Sequence, residues 1–433
     1  MFGYYLDLAL RSLRRNKVLT ELMVITLALG IGASITTLTV LRLLSGDPLP
    51  QKSAQLFYAQ IDPYPKDGYE VGKTKPQRLM AYADAMNLLH AHQAERQAVI
   101  ALTDARIAPL HAGEHPFFSD GVMTTTDFFT MFDAPFQYGS GWTAADDDSR
   151  AQVVVISDFL NDKLFGGASS VGRIIRVNDH DLRIIGVLKN WAPQPRFYAQ
   201  ELGGRSYGDG DAVFLPLQTA RAADMDPQND DCWAVADTTK LETAPCIWLG
   251  FWAELSSDRE VSAYRQFLSN YAQQQIALGR FYRPEVALSE LMQWLRDEKV
   301  VPDDVRLQAG LAFGFLLICV VNTVGLLLAK CLRRSQEIGV RRALGATRRA
   351  IFAQFMVEAG IVGLAGGLLG LVFAEFGLWC IRRQPAEYAG LAHLDVHMFV
   401  LTFIVALSAS LVAGLLPAWR ASVLAPGSQL KAA

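Results

Sequence analysis

Histidine and cysteine are scarce in this 433-residue sequence, which contains seven and five of them. His90 and His92 are two residues apart, so on a helix their rings would point in different directions, and the other histidines show no metal-ligand spacing. Neither G-x-S-x-G nor H-E-x-x-H occurs, which removes two common hydrolase signatures. The sequence therefore predicts a protein that is not an enzyme and has neither catalytic nor metal-binding residues.

A nucleotide-binding loop is also missing. Such a loop needs glycines for the turn, a lysine for the phosphates and Ser or Thr for magnesium. The nearest stretch, 167–174, has Arg173 in place of the lysine and Ile174 in place of the hydroxyl residue. No cofactor is therefore expected in this chain, and any ATP and Mg²⁺ would be bound by a partner ATPase.

Long apolar segments are present instead. Each is nearly free of charge and long enough to cross a bilayer, which takes about 20 apolar residues. The first segment is longer than a secretory h-region of about 7–15 residues, so it is expected to be retained. The predicted transmembrane helices are 18–44, 305–330, 351–381 and 397–419.

Charge is distributed unevenly around these segments. Residues 45–304 contain 36 acidic and 23 basic residues, a net charge of −13, whereas the rest of the chain has a net charge of +10. Basic residues cluster before the first segment, between the second and third, and after the fourth, which places those parts in the cytoplasm. The remaining parts are then an exported domain (45–304), a cytoplasmic coupling loop (331–350), a short external loop (382–396) and a cytoplasmic tail (420–433). Residues 1–17 form either a cytoplasmic amphipathic helix or a frayed basic tail.

The exported domain has an α+β pattern. Residues 153–156 are four consecutive β-branched residues, typical of a buried strand, and Asn178-Asp179 between two apolar runs predicts a hairpin. Residues 190–250 are rich in proline and glycine and predict a loop-rich subdomain, whereas 285–299 has a helical pattern. The predicted fold is an α-helical membrane protein with four transmembrane helices and a large α+β extracytoplasmic domain between helices 1 and 2.

Two features leave alternatives open. Cys232 and Cys246 are the two cysteines of the exported domain, and they either form a disulfide or remain free thiols. The third segment contains a stripe of glycines at small-xxx-small spacing, which packs either within one subunit or against a second one. The predicted packing residues are Gly360, Gly363, Gly366, Gly367 and Gly370, and the nearby Glu358 is expected to pair with arginines of the coupling loop.

Three stretches resemble one protein family. The coupling loop has the pattern R-R-x-x-E-I-G-x-R-R-A-L-G-A over 333–346, and 414–430 is similar to the closing motif of the same family. Residues 127–187 are similar to a MacB-type periplasmic core domain. Together they resemble the FtsX-like ABC transporter permease family, in its MacB-type branch.

The resemblance implies a non-catalytic permease of the bacterial inner membrane, with its large domain in the periplasm and no nucleic-acid partner. The implied ATPase-coupling residues are Arg333, Arg334, Glu337, Gly339, Arg341, Arg342 and Gly345. No fused ATPase accompanies the match, so we expect a separate ABC ATPase subunit. A second permease, either the same chain or a paralogue, would complete a dimer.

The resemblance also implies mechanotransmission, in which ATP turnover in the cytoplasm moves the periplasmic domains. One expected function is a tripartite efflux pump with a periplasmic adaptor and an outer-membrane channel. The alternative is a permease that extracts lipoproteins or regulates cell-wall hydrolases.

Overall fold

The computed structural model describes residues 8, 9, 11, 12, 15, 17–68, 72, 74–109, 113 and 115–423. The chain forms two compact units, one of Met1–Ser45 with Val301–Ala433 and one of Gly46–Val300. Most of the predicted amphipathic helix over 1–17, and the tail after residue 423, lie outside the described residues.

The elements alternate in type within the exported unit and are helical elsewhere. The helices are α1 (Lys17–Ser45), α2 (Tyr82–His90), α3 (Phe128–Met131), α4 (Ala144–Asp148), α5 (Asp158–Phe165), α6 (Leu217–Ala222), α7 (Asp258–Ala277), α8 (Leu291–Asp297), α9 (Asp303–Arg333), α10 (Ser335–Ala343), α11 (Arg348–Arg382) and α12 (Val396–Val423). The strands are β1 (Leu56–Ile61), β2 (Met80–Ala81), β3 (Arg96–Ile107), β4 (Phe117–Thr124), β5 (Phe136–Gly139), β6 (Val153–Ile156), β7 (Ile174–Val177), β8 (His180–Leu188), β9 (Val213–Pro216), β10 (Asp231–Cys232), β11 (Cys246–Glu254) and β12 (Val286–Glu290).

Four helices, α1, α9, α11 and α12, are long and apolar enough to cross a membrane. They pack together along faces that recur at helical spacing, as in α9, where Val305, Ala309, Ala312, Leu316 and Cys319 are buried. The charges at the ends of α9 are favourable for the helix dipole, since two acidic residues lie in its first turn and Lys330 and Arg333 lie in its last turn. The exported unit lies in sequence between the first and second of these helices.

The exported unit is built on one large mixed sheet. Its main path has the order β12-β1-β11-β3-β4-β9-β6-β8-β5, with β2 and β10 paired to β11 and with β7 paired to β3 and β8. The β4–β9 and β6–β8 pairs are parallel and the other pairs are antiparallel. The first and last strands of the unit, β1 and β12, are neighbours, with Phe57 opposite Glu290 and Ile61 opposite Val286.

The predicted hairpin is confirmed. Strands β7 and β8 are antiparallel and are joined by Asn178 and Asp179. Both turn residues have positive φ, 46° and 68°, which is the conformation of a type I′ turn and one that Asn and Asp tolerate.

Residues 190–250 differ from the expected loop-rich subdomain. They contribute β9 and most of β11, which are interior strands of the main sheet. The loops between these strands are rich in proline and glycine, so they concealed the short strand β9 and the start of the nine-residue strand β11, both of which are buried. Residues 285–299 also differ from the expected helix, because the first part forms β12 and pairs with β1.

The Cys232 and Cys246 side chains form a disulfide. The two residues lie directly opposite each other in the β10–β11 pair. The bond therefore closes the loop 232–246, which leads into the interior strand β11.

A buried ion pair lies within the exported unit. Arg196 donates from Nη2 to Asp211 Oδ1 at 2.5 Å, and the Tyr198 hydroxyl donates to the other oxygen of this carboxylate at 2.6 Å. Burial raises the pKa of Asp211, and Arg196 opposes that rise. Aromatic rings surround the group, with Tyr198 stacked on Trp191 at 5.4 Å between centroids.

Candidate coupling site

The helix α10 lies between two membrane-spanning helices, and its boundaries follow from local sequence. At its end, Ala346 N–H donates to Arg341 C=O and Gly345 N–H donates to Arg342 C=O, which is a Schellman motif. Gly345 has φ of +99°, a conformation that side chains with a Cβ adopt at a cost. The next helix starts at once, since Thr347 Oγ1 accepts a hydrogen bond from Ala350 N–H.

The inward face of α10 is held by an apolar contact. Ile338 is buried and belongs to a cluster with Cys331, Ile351, Phe355 and Ala418. These residues come from the end of α9, the start of α11 and the end of α12. The helix is therefore packed against the ends of three spans.

Five charged residues next to this apolar contact form what we call the charge cluster: Lys330, Arg334, Glu337, Arg341 and Glu358. Glu358 lies 2.9 Å from Lys330 Nζ and 3.1 Å from Arg334 Nη1. Arg334 also donates to both carboxylate oxygens of Glu337, at 3.0 and 3.2 Å. Arg341, one turn further along α10, lies 3.1 Å from Glu337. The two acids are thus bridged by Arg334, which links α10 to α11.

Further contacts fix α10 to its neighbours. Arg341 Nη1 donates to Gln354 Oε1 on α11 at 3.0 Å, and Arg342 Nη1 donates to the Ser422 carbonyl of α12 at 3.3 Å. Arg15 lies 3.7 Å from Glu337, and Arg334 also donates to Ser12. A movement of α10 therefore has to move the ends of the spans or break these contacts.

The burial of the charge cluster differs from end to end. The side chains of Lys330 and Glu358 are completely buried, whereas that of Glu337 is one-third exposed. The hydrogen bonds from Arg334 lower the pKa of Glu337, and nearby Arg341 adds to this effect. Because a buried charge that loses its partner is costly, we infer that these residues hold α10 in a fixed orientation.

The outward face of α10 is mostly apolar. Val340 is 54% exposed and Leu344 is 82% exposed. Gln336 and Ala343 are exposed beside them, so the four residues follow the i, i+4, i+7, i+8 spacing of one helix face. We call this set the outward stripe. Arg333, Arg348 and Arg349 are exposed on either side of it in sequence.

The predicted coupling residues therefore separate into two groups. Arg334 and Arg341 both contact Glu337, and Arg342 contacts α12. Arg333 is exposed at the end of α9, Gly339 is half-buried within α10, and Gly345 forms the terminal turn. Sequence reasoning missed the outward stripe, although the spacing of Val340, within a polar helix, and Leu344, at its C-cap, was a signal for it.

Four of the five predicted packing glycines contact neighbouring helices of the same chain. A Cβ at Gly363 would lie 2.0 Å from Ser410 Oγ, and one at Gly367 would lie 2.9 Å from Ala406 Cβ, both on α12. A Cβ at Gly366 or at Gly370 would approach α1, at 3.2 Å from Leu27 Cβ and 3.0 Å from Ile31 Cγ2 respectively.

The stripe therefore lets α11 lie against two helices at once, which is packing within one subunit. Gly360 differs from the other four, because among the described residues no atom beyond its own helix lies within 4 Å of a Cβ built there.

Family models match most of the chain. A model described as MacB-like periplasmic core domain matches residues 20–245. A second model, described as FtsX-like permease C-terminal, matches residues 309–426, which include the charge cluster and α10.

Several curated proteins are similar in sequence. The chain is 27% identical over 311 residues to the pyoverdine export ATP-binding/permease protein PvdT of Pseudomonas aeruginosa, covering 70% of this chain and 41% of that protein. It is 24% identical over 436 residues to the macrolide export ATP-binding/permease protein MacB of Shigella boydii, covering 98% of this chain and 60% of that protein. The uncharacterized ABC transporter permease YvrN of Bacillus subtilis is 22% identical over 306 residues, 70% of this chain and 68% of that protein. The chain thus spans about half the length of the two named exporters.

Among solved structures, the periplasmic region of MacB from Actinobacillus actinomycetemcomitans is similar to this chain with a TM-score of 0.38 and 12% identity. The match covers 58% of this chain and 94% of that one.

Proposed function

Because the chain belongs to the family of MacB-like ABC exporter permeases, we propose that α10 receives the movement of a cytoplasmic ABC ATPase and passes it to the exported unit. The observation that carries the proposal is the outward stripe: two large apolar side chains, Val340 and Leu344, exposed on a helix whose opposite face is fixed to the spans. An exposed apolar stripe with basic neighbours fits a partner that offers an apolar groove with an acidic rim.

The charge cluster supports the second half of the proposal. Arg334 bridges Glu337 on α10 to Glu358 on α11, and Arg342 ties α10 to the end of α12. Through these contacts α10 and the cytoplasmic ends of the spans move as one rigid unit. A displacement of α10 by a partner bound to the outward stripe is therefore passed to the spans. This is mechanotransmission, in which the spans carry movement and not substrate.

The setting we propose is the bacterial inner membrane, with the acidic exported unit in the periplasm and with two permeases working together. Relatives are named for the export of a macrolide and of pyoverdine, which favours efflux over lipoprotein extraction or hydrolase regulation. A tripartite pump with a periplasmic adaptor and an outer-membrane channel is the assembly that this function would need in a two-membrane envelope. ATP and Mg²⁺ would be bound by the ATPase and not by the residues described here.

The test is a charge placed on the outward stripe. The variants Val340→Asp and Leu344→Asp are affinity-purified in mild detergent, and the ATP hydrolysis that accompanies each is compared with that of the native chain. We expect strongly reduced co-purified hydrolysis with unchanged membrane insertion and thermal stability, because a buried carboxylate without a partner disfavours docking.

The matched control is Leu278→Asp, the same substitution at an exposed leucine of the exported unit. It should leave co-purified hydrolysis unchanged. If the two stripe variants recover as much hydrolysis as the native chain, the ATPase does not dock on this face of α10.

A further inference from the structure

A cavity of about 590 Å³ lies within the exported unit, between α2, α4 and the start of α6. Its walls come from the part of the chain in 82–218, so the cavity belongs to this unit alone. The volume falls in the range of small-molecule sites, roughly 300–1,000 Å³. We call it the α2–α4 cavity.

One wall of the α2–α4 cavity is apolar. Tyr82, Met86 and Leu89 recur at the i, i+4, i+7 spacing of α2 and line the cavity together with Leu217. The three α2 side chains are only half-buried, although they also pack against the core of the unit. Tyr82 is positioned by its hydroxyl, which accepts a hydrogen bond from Gln218 at 2.5 Å, and by stacking on Trp248. An aromatic ring, a flexible thioether and a leucine together form a surface suited to an apolar ligand body.

Another part of the lining is acidic. Asp127, Asp147 and Asp148 line the cavity with a single arginine, Arg150. Among the described residues, none of these four side chains makes an ion pair. Two histidines, His90 and His92, also line the cavity. The three carboxylates outnumber the single arginine by two, and a cleft in which one sign of charge predominates between low-dielectric walls concentrates the opposite charge.

The most enclosed of these acids is Asp147. One of its oxygens accepts hydrogen bonds from the backbone N–H and the hydroxyl of Thr126, which fix the carboxylate in place. Its other oxygen is buried, and the indole N–H of Trp142 is a further hydrogen-bond donor to this carboxylate. Burial raises the pKa of Asp147 from 3.8 to about 6, and the hydrogen bonds from Thr126 oppose that rise. The group is thus mainly ionised at neutral pH, but in an environment where a nearby cation would stabilise it.

We propose that the α2–α4 cavity is a binding site for a small cationic amphiphile, whose apolar body lies against Tyr82, Met86 and Leu89 and whose positive group faces Asp147 and Asp148. The apolar wall alone would suit any oily molecule, and the acidic wall alone would suit any cation. Their presence in one cavity of drug-sized volume selects a ligand that carries both features. The proposal does not depend on the outward stripe, so either can fail without the other.

The test uses two ions of nearly equal size and opposite charge, tetraphenylphosphonium and tetraphenylborate. The full chain, labelled with ¹³C at its methionine methyl groups, is placed in lipid nanodiscs and titrated with each ion. The Met86 signal is assigned with Met86→Leu, and Met225, which is fully buried in the same unit, serves as the internal reference. We expect saturable shifts of Met86 with tetraphenylphosphonium, no saturable shift with tetraphenylborate, and an unmoved Met225.

Two variants test the acidic wall. Asp147→Asn keeps an oxygen that can accept from Thr126, and Asp148→Asn changes an exposed residue, so the second variant remains informative if the first folds poorly. Each should weaken tetraphenylphosphonium binding about tenfold, as expected for loss of one nearby opposite charge in a partly solvated site. Asp297→Asn, on the exposed surface of α8 outside the cavity, should leave binding unchanged.

Equal Met86 shifts with both ions would refute the charge selectivity, and no Met86 shift with either would refute the site. Unchanged affinity in both acidic-wall variants would show that the acids do not select the ligand and would also refute the proposal.

Discussion

Glu358→Gln is the perturbation that tests most directly whether the charge cluster holds the coupling site together. Glu358 is completely buried and lies 2.9 Å from Lys330 and 3.1 Å from Arg334. Removing its charge leaves Arg334 with Glu337 but leaves Lys330, which is also completely buried, facing a neutral amide. Breaking a buried pair in this way costs about 3–5 kcal/mol, so we expect a loss of about 3 kcal/mol in the free energy of unfolding.

The assay is unfolding in mixed micelles, followed by fluorescence as the fraction of denaturing detergent is raised. The double variant Lys330→Met with Glu358→Gln removes both charges and should recover most of the loss, giving a coupling free energy of about 2 kcal/mol. The matched control is Glu375→Gln on the same helix, where Glu375 lies 2.6 Å from Arg382 but its side chain is half-exposed. An exposed pair contributes about 0–1 kcal/mol, so the control should change little.

Two results would refute this reasoning. Equal losses for Glu358→Gln and Glu375→Gln would mean that burial does not set the cost. Additive losses in the double variant would mean that Lys330 and Glu358 do not act as a pair.

Two further predictions rest on single positions. Gly363→Ala should lower the melting temperature, because its Cβ would lie 2.5 Å from Ser410 Cβ and overpacking costs roughly 1–3 kcal/mol. The control Gly360→Ala has open space around the new Cβ and should be neutral or stabilising. Equal melting temperatures for the two variants would contradict the packing of α11 on α12. Burial and the neighbouring Glu201 raise the pKa of Glu298 from 4.5 to about 8. Between these pH values the folded chain retains a proton that the unfolded chain releases. The free energy of unfolding should therefore fall as pH rises from about 4.5 to 8. Glu298→Gln should flatten this part of the pH profile of the melting temperature, and an unchanged slope would exclude Glu298 as its source.

Sequence patterns were informative where the physical signal is local. Four consecutive β-branched residues predicted a buried strand, and β6 has those bounds, Val153–Ile156, because such side chains fit a pleated surface buried on both faces. The Asn178-Asp179 turn was predictable for a similar reason, since the turn type determines which residues can occupy it.

Features that depend on distant parts of the chain were not predictable. The arginines of α10 have similar sequence environments, but Arg341 turns inward because Glu337 and the distant Gln354 accept its contacts. Gly360 and Gly363 belong to one spacing pattern, yet only the second faces α12, and that depends on how the helices pack. Sheet order had the same limit, because the neighbours of β9 and β11 in the sheet lie far from them in the sequence.

The pairing of β1 with β12 has a mechanical consequence. The start of β1 and the end of β12 lie at the same end of the pair, since Phe57 is opposite Glu290. The chain enters the sheet from the first span and leaves it towards the second at this one end. If both connections are pulled together, the load is shared across adjacent strands and the sheet moves as a unit. If the two connections are pulled apart, the backbone hydrogen bonds between β1 and β12 are loaded one at a time. A strand pair resists this direction of force least. The β1–β12 pair therefore resists a load applied to both connections together better than a load that separates them.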